Sequence, residues 1–215
     1  MRQSGKARSE AFSDGVIAVA ITLLVLDLHV YVDGHGSLAR QLRDQWPTYA
    51  AYVVTFFVIG VIWVNHHSLM MLVDNVDRTL LFYNLLLLLA VTTMPFATSV
   101  LADYLRVGGA DARLAVTLYG AVSELMAIAF TLMLHRMIHA GLIIFPVDRT
   151  QSRRALQRFG LGLAVYPVIT VIGLWSPPVM LGLYALQTAY YLFDQAPILG
   201  NTIVVGPPAG QQTPQ

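Results

Sequence analysis

Cysteine is absent from the 215 residues, which rules out disulfides, thiolate nucleophiles and Cys-ligated metals and leaves the redox compartment open. Charge is scarce too. Asp, Glu, Lys and Arg make up 12% of the chain, against about 25% in ordinary soluble domains. Hydrophobic residues reach 56% and the mean hydropathy is +0.63, so the chain reads as an integral membrane protein. The net charge of +1 comes with no basic run interleaved with aromatics, which argues against nucleic acid as a partner. The first apolar segment has no small-residue cleavage site after it, so it reads as a retained helix and not as a signal peptide.

Six stretches are apolar and long enough to span a bilayer: 11–31, 47–72, 79–104, 113–137, 155–175 and 178–194. An all-α polytopic membrane protein with six transmembrane helices follows. Short linkers leave no room for a separate soluble domain, so residues 1–194 form one unit. The Pro-, Gly- and Gln-rich residues 195–215 read as a disordered tail. With the N-terminus inside, nine of the thirteen Lys and Arg residues fall on the inner side, and an even number of spans returns the C-terminus there. The most basic loop, Arg136 to Arg158, suits that topology and attraction to anionic inner-leaflet lipid.

The segment from Arg8 to Val30 organises the rest. It carries Phe12-Ser13-Asp14 at its start, Thr22 near its middle and Asp27 at its close. An acid in a membrane helix costs about 2.5–3.5 kcal/mol on insertion scales, so Asp14 calls for a partner. At about 100° per residue an apolar stripe runs through Val16, Val19, Leu23, Leu26 and Val30, with Thr22 beside Leu23. A second face carries Asp14, Ala18, Ile21 and Val25, and Gly15, Ala18 and Ala20 would let a neighbouring helix approach. One face can meet a pore while the other meets protein.

In the second span Trp63-Val-Asn65-His66-His67 falls at a depth close to Arg8 and Asp14. Neighbouring histidines diverge on a helix, so a hydrogen bond from one of them to Ser13 or Asp14 suits them better than a shared metal. In the third span Pro95 should kink the helix. Glu124 lies near the middle of the fourth span with no evident cationic partner, either as a protonated, hydrogen-bonded acid or as an ion-responsive group.

These groups allow three functional classes, besides a purely structural membrane protein, which the polar network alone does not exclude. Ser13, Asp14 and His66 supply the residue types of a hydrolytic triad, but Ser13 and Asp14 are adjacent and no glycine-rich turn surrounds the serine, so the chain does not read as an enzyme. Asp14, Glu124 and the histidines would serve a proton-coupled ion transporter, yet the six spans show no internal repeat. A channel needs an apolar helix edge with a few polar groups, and the first span supplies one.

With Arg8-x-x-x-Phe12-Ser13-Asp14 on one helix and Trp63-x-Asn65-His66-His67 on the next, the sequence resembles the transmembrane protein 175 family of potassium channels in its bacterial, single-repeat form. The resemblance implies a homotetramer in the inner or plasma membrane, with the first helix of each chain lining a central pore for potassium. No cofactor is implied beyond the permeant ion. It places an apolar constriction, acting as gate and filter, on Val19, Leu23 and Leu26, and the hydroxyl that sets ion preference on Thr22. It assigns an inter-helix polar network to Arg8, Phe12, Ser13, Asp14, Trp63, Asn65, His66 and His67. Val19 departs from the pattern, being smaller than the Ile or Leu usual at that constriction. No Thr-Val-Gly-Tyr-Gly loop is present, so a moderate selectivity would have to arise at the apolar collar itself, which rises about 10 Å from Val19 to Leu26.

Overall fold

Four of the long helices start where the sequence supplies a reason. The computed structural model describes residues 2–29, 37–144 and 149–193. In it α1 (Arg2–Leu23) tightens into a single 3-10 turn at Leu24–Asp27. A short α2 (Leu38–Asp44) leads into α3 (Trp46–Met71), which carries Pro47 in its first turn, where the missing N–H costs nothing. The Asp77 carboxylate accepts the Leu80 N–H at 2.8 Å and so caps α4 (Arg78–Tyr104). Gly108 and Gly109, at φ 71° and 75°, turn the chain into α5 (Gly109–His139), a conformation that favours glycine. Then follow α6 (Arg149–Gly173) and α7 (Pro177–Phe193), the latter opened by Pro177-Pro178.

The six long helices match the six expected spans in order and nearly in extent. Four segments, Gly5–Asp27, Trp46–Met71, Arg78–Tyr104 and Gly109–His139, are long and apolar enough to cross a membrane by length and composition, and α6 adds the shorter apolar Gly162–Gly173. The protein is an all-α, multi-pass membrane protein. The first helix begins well before residue 11 and its helical part ends at Asp27, not at residue 31. The Lys6 ammonium donates to the Met71 carbonyl at 3.4 Å, which ties the polar start of α1 to the end of α3. The last stripe position, Val30, and the tail 195–215 lie outside the described residues. Pro95 sits inside α4, which continues past it to Tyr104.

The core is centred on α4 and α5. Leu87, Val91 and Met94 of α4 and Val116, Met126 and Met133 of α5 are fully buried there. Then α6 packs onto α5 at very close range: a Cβ on Gly120 would lie 2.1 Å from the Thr170 Oγ1. Within this apolar mass the Thr98, Thr55 and Tyr119 hydroxyls are linked in a chain with 3.0 Å spacings, joining α4, α3 and α5. At the end of the bundle where α3 finishes, Val73 and Ile143 form an antiparallel bridge between the α3–α4 and α5–α6 connections. Beside it Arg136 donates to the Asp77 carboxylate through Nε at 2.9 Å and Nη2 at 2.5 Å. Those bonds, ahead of the Leu80 N–H, hold the Asp77 carboxyl below the usual carboxylate range.

Candidate pore helix and its anchorage

Helix α1 has one committed side and one free side. The buried side is a continuous row of Ser9, Ser13, Ile17, Ala20 and Leu24, spaced three or four residues apart and packed against α3 and α4. Opposite it, Phe12, Val19, Leu23 and Leu26 are 56%, 56%, 43% and 69% exposed within the chain. Thr22 is exposed on the same side, as is Arg8 near its start. Of the stripe read from the sequence, Val19, Leu23 and Leu26 are thus uncovered within the chain, whereas Val16 is partly buried against the core. The packing face is rotated as well. Gly15, Ala18 and Val25, expected to meet a neighbouring helix, are exposed, while Ala20 and Ile21 do turn inward.

Two sets of polar contacts hold this orientation. The first is a ladder between the antiparallel α1 and α3, with a rung every fourth residue on each helix. Lys6 reaches the Met71 carbonyl, Glu10 Oε1 lies 3.4 Å from His67 Nδ1, and the Trp63 indole N–H donates to Asp14 Oδ1 at 3.0 Å. Trp63 and His67 stack with ring centroids 6.1 Å apart, which stiffens two successive rungs. Asp14 thus finds its partner in a neutral donor on the flank of the helix, offset from the exposed edge.

The second set is buried and runs through α4. Asn84 Nδ2 donates to Ser13 Oγ at 2.9 Å, and Ser13 passes its own hydrogen to the Ser9 carbonyl, also at 2.9 Å. Asn84 Oδ1 lies 2.9 Å from His66 Nε2. An amide oxygen only accepts, so Nε2 carries a hydrogen and donates it. The expected direct bond from a histidine to Ser13 or Asp14 is therefore replaced: His66 reaches Ser13 by way of Asn84, and His67 faces Glu10. Asn84 and Glu10 were the pieces the sequence reading did not join to the network. An Asn one turn into an apolar span, at the depth of Ser13 and His66, was the available signal.

Other proposed members of the network lie elsewhere. Asn65 points away from α1 into a cleft between α3, α5, α6 and α7, because it follows Trp63 by roughly 200° around the helix. Phe12 and Arg8 lie on the exposed side, and Arg8 makes no ion pair within the described residues. A serine relay does not form, since the Ser13 hydrogen is committed to a carbonyl and His66 bonds to an amide. Among the described residues no three His, Asp or Glu side chains converge on a common metal position.

The family model described as endosomal/lysosomal potassium channel TMEM175 matches residues 8–95, the segment that holds the Glu10–His67 and Asp14–Trp63 rungs and the Asn84 bridge. A potassium channel of Streptomyces collinus is 44% identical over 200 residues, covering 92% of this chain and 96% of the relative. The chain belongs to the TMEM175 family. A potassium channel of Chamaesiphon minutus is 38% identical over 80% of this chain and 88% of its own length. The crystal structure of a lysosomal potassium-selective channel TMEM175 homolog from the same genus and species superposes with a TM-score of 0.75 at 34% identity, covering 88% of this chain and 97% of that one. As an ion-channel family member the protein is not an enzyme.

Proposed function

We propose that the chain is a potassium channel in which four copies stand around a common axis, each presenting the free edge of α1 to the permeating ion. The observation that carries this reading is the two-sidedness of α1: polar groups fix one flank to α3 and α4, while Val19, Thr22, Leu23 and Leu26 are left uncovered. Four such edges make a narrow alkyl collar, which holds water poorly and can close by dewetting. The Thr22 hydroxyl donates to the Val19 carbonyl at 2.8 Å, so its hydrogen is tied back to the helix and its lone pairs face outward. Four outward oxygens in one ring are suited to replacing part of the hydration shell of a potassium ion, which releases water more readily than sodium. The polar network of Ser13, Asp14, Trp63 and His66, supported by Glu10, His67 and Asn84, sets the angle of α1 and takes no part in the ion path.

Residues 1–194 form the channel unit and 195–215 a tail. The membrane is the plasma or inner membrane, with both termini in the cytoplasm, as the excess of Lys and Arg on that side favours. No cofactor is required beyond the permeant ion, and the surrounding lipid is the remaining partner.

The test is potassium flux and single-channel recording from purified protein in defined liposomes. Discrete current steps and a potassium preference are expected. Thr22→Ala should keep conduction while its preference for potassium over sodium falls. Saturating flux that requires a proton gradient would replace the channel by a transporter, and an assembly other than fourfold would remove the shared axis.

A further inference from the structure

The end of α5 carries a pair of histidines that neither the α1 anchorage nor the core uses. On its inner face the last turns of this helix are fixed, with Met133, Leu134 and Met137 fully buried. Just beyond, the Leu142 carbonyl accepts the Asp74 N–H at 2.8 Å and the Ile144 N–H donates to the Leu72 carbonyl at 3.0 Å, so the helix end is tied to the α3–α4 connection. On the exposed face stand His135 and His139, one turn apart. Their rings stack, with centroids 3.9 Å apart and planes at 20°. His139 Nδ1 lies 3.1 Å from the His135 carbonyl. A carbonyl only accepts, so Nδ1 carries a hydrogen, and the neutral ring keeps its lone pair on Nε2.

Metal-ligating histidines use the same arrangement: one ring nitrogen donates to a carbonyl, which fixes the tautomer and the ring orientation, and the other nitrogen binds the ion. The spacing agrees. Two nitrogens at about 2.0–2.1 Å from one tetrahedral ion are roughly 3.4 Å apart, within reach of rings stacked at 3.9 Å after a turn of the His135 ring about its outer torsion. Arg136, adjacent in sequence, lies about 100° round the helix with its guanidinium on the Asp77 carboxylate, and the carbonyls of the last turn favour a cation there. We propose that His135 and His139 chelate a divalent transition-metal ion of the kind that prefers imidazole. Among the described residues no third His, Asp or Glu joins them, so water fills the remaining positions and the ion exchanges freely. It would staple the last turn of α5 beside the Asp77–Arg136 clasp, whether or not α1 lines the pore.

Calorimetric titration of the tag-free, full-length protein in one detergent tests this, with Cu²⁺, Ni²⁺, Zn²⁺ and Mg²⁺ as separate probes. One ion per chain is expected, with copper bound more tightly than nickel or zinc and magnesium not bound, since imidazole suits the late first-row metals and magnesium prefers oxygen. His135→Gln and His139→Gln should each weaken nickel binding by roughly tenfold or more, because either leaves a single imidazole. Both positions are exposed, so both variants should fold as the parent does. His29→Gln, at the opposite end of the bundle, should leave the affinity unchanged. Nickel should also raise the unfolding temperature of the parent and not that of His139→Gln. Undiminished binding in both variants of the pair would place the ion elsewhere, and loss in only one would reduce the site to a single-imidazole contact. Magnesium bound as tightly as nickel would mean that carboxylates hold the ion. Each of these three results overturns the chelate.

Discussion

The first and third long helices, α1 and α4, are almost equally apolar, with mean hydropathies of 1.8 and 2.0 over their best windows. Yet 28% of that window is buried in α1 and 56% in α4. Hydropathy alone says only that both can enter a membrane; burial separates the helix that holds the bundle together from the one that faces something outside its own chain. Helix α3 is also 28% buried, but its exposed side carries the bulky Phe56, Phe57 and Trp63, rings that suit lipid. The free side of α1 is mostly aliphatic, with one hydroxyl and Phe12 near the end. The contrast predicts that substitutions on the packed side cost stability, and those on the free edge change conduction at little cost to the single subunit.

The largest effect should come from Asn84→Leu, which strikes the join between the two regions. It would leave the fully buried His66 Nε2 without its partner, at about 1–3 kcal/mol for an unsatisfied group, and would take from Ser13 one of its two hydrogen bonds, the one to the Ser9 carbonyl remaining. Thermal unfolding in detergent should drop by many degrees, and the angle of α1 should become irregular. An unfolding temperature equal to the parent's would show that the bridge does not hold the helix. Next comes Gly120→Val on the packed side alone. Its side chain would collide with Thr170 across the α5–α6 contact, and overpacking of this kind costs about 1–3 kcal/mol. Surviving channels should conduct normally, because the site is remote from α1, so a stable Gly120→Val variant with altered selectivity would erase the distinction between the regions.

The sequence made the six helices legible because long, mostly apolar stretches leave little choice, and boundaries agreed where Asp77, Pro47 and Pro177 supply local stop and start chemistry. Helical phase was harder. Val16 and Val19 look alike at a spacing of three, and only the position of α4 decides that the first packs inward and the second does not. The polar network divided in the same way. Asp14, Trp63 and the histidines could be assigned to one network because they lie at matching depth, but the bond expected there joined a histidine to Ser13 or Asp14, whereas Asp14 takes its hydrogen from Trp63. Asn84 could not be inserted between Ser13 and His66, since that requires knowing which two faces of α1 and α3 turn toward the third helix. Asn65 misled for the complementary reason: adjacency to His66 in sequence is a turn of about 100° on the helix.

On the free edge, Leu23→Ala removes an exposed side chain, so the stability of the single subunit should change by less than about 0.5 kcal/mol. If four copies of this residue form the collar, its loss should widen the ring and raise the resting leak of potassium from loaded liposomes. Normal expression with silent or unchanged flux would remove Leu23 from the gate.

The smallest effect on conduction belongs to Asp77, at the loop end of the packed region. Its carboxyl is held below the ordinary value of 3.8, first by the hydrogen bonds from Arg136 and then by the Leu80 N–H. A carboxyl depressed in the folded state contributes its stability in full above the unfolded-chain value and loses it as the pH falls through the folded one. Both partners remain partly solvated, with side chains 27% and 38% exposed, so the ion pair is worth under about 1 kcal/mol, beside the cap that the amide of Asn would in part preserve. Asp77→Asn should therefore unfold slightly earlier than the parent at neutral pH, and the gap should close as the pH is lowered below about 4. Thermal unfolding of both proteins across that range reads this directly, and a gap that stays constant would mean the pair does not titrate with folding. Potassium flux in the same variant should match the parent, because the clasp joins connections on the α4–α5 side and leaves the ladder between α1 and α3 untouched.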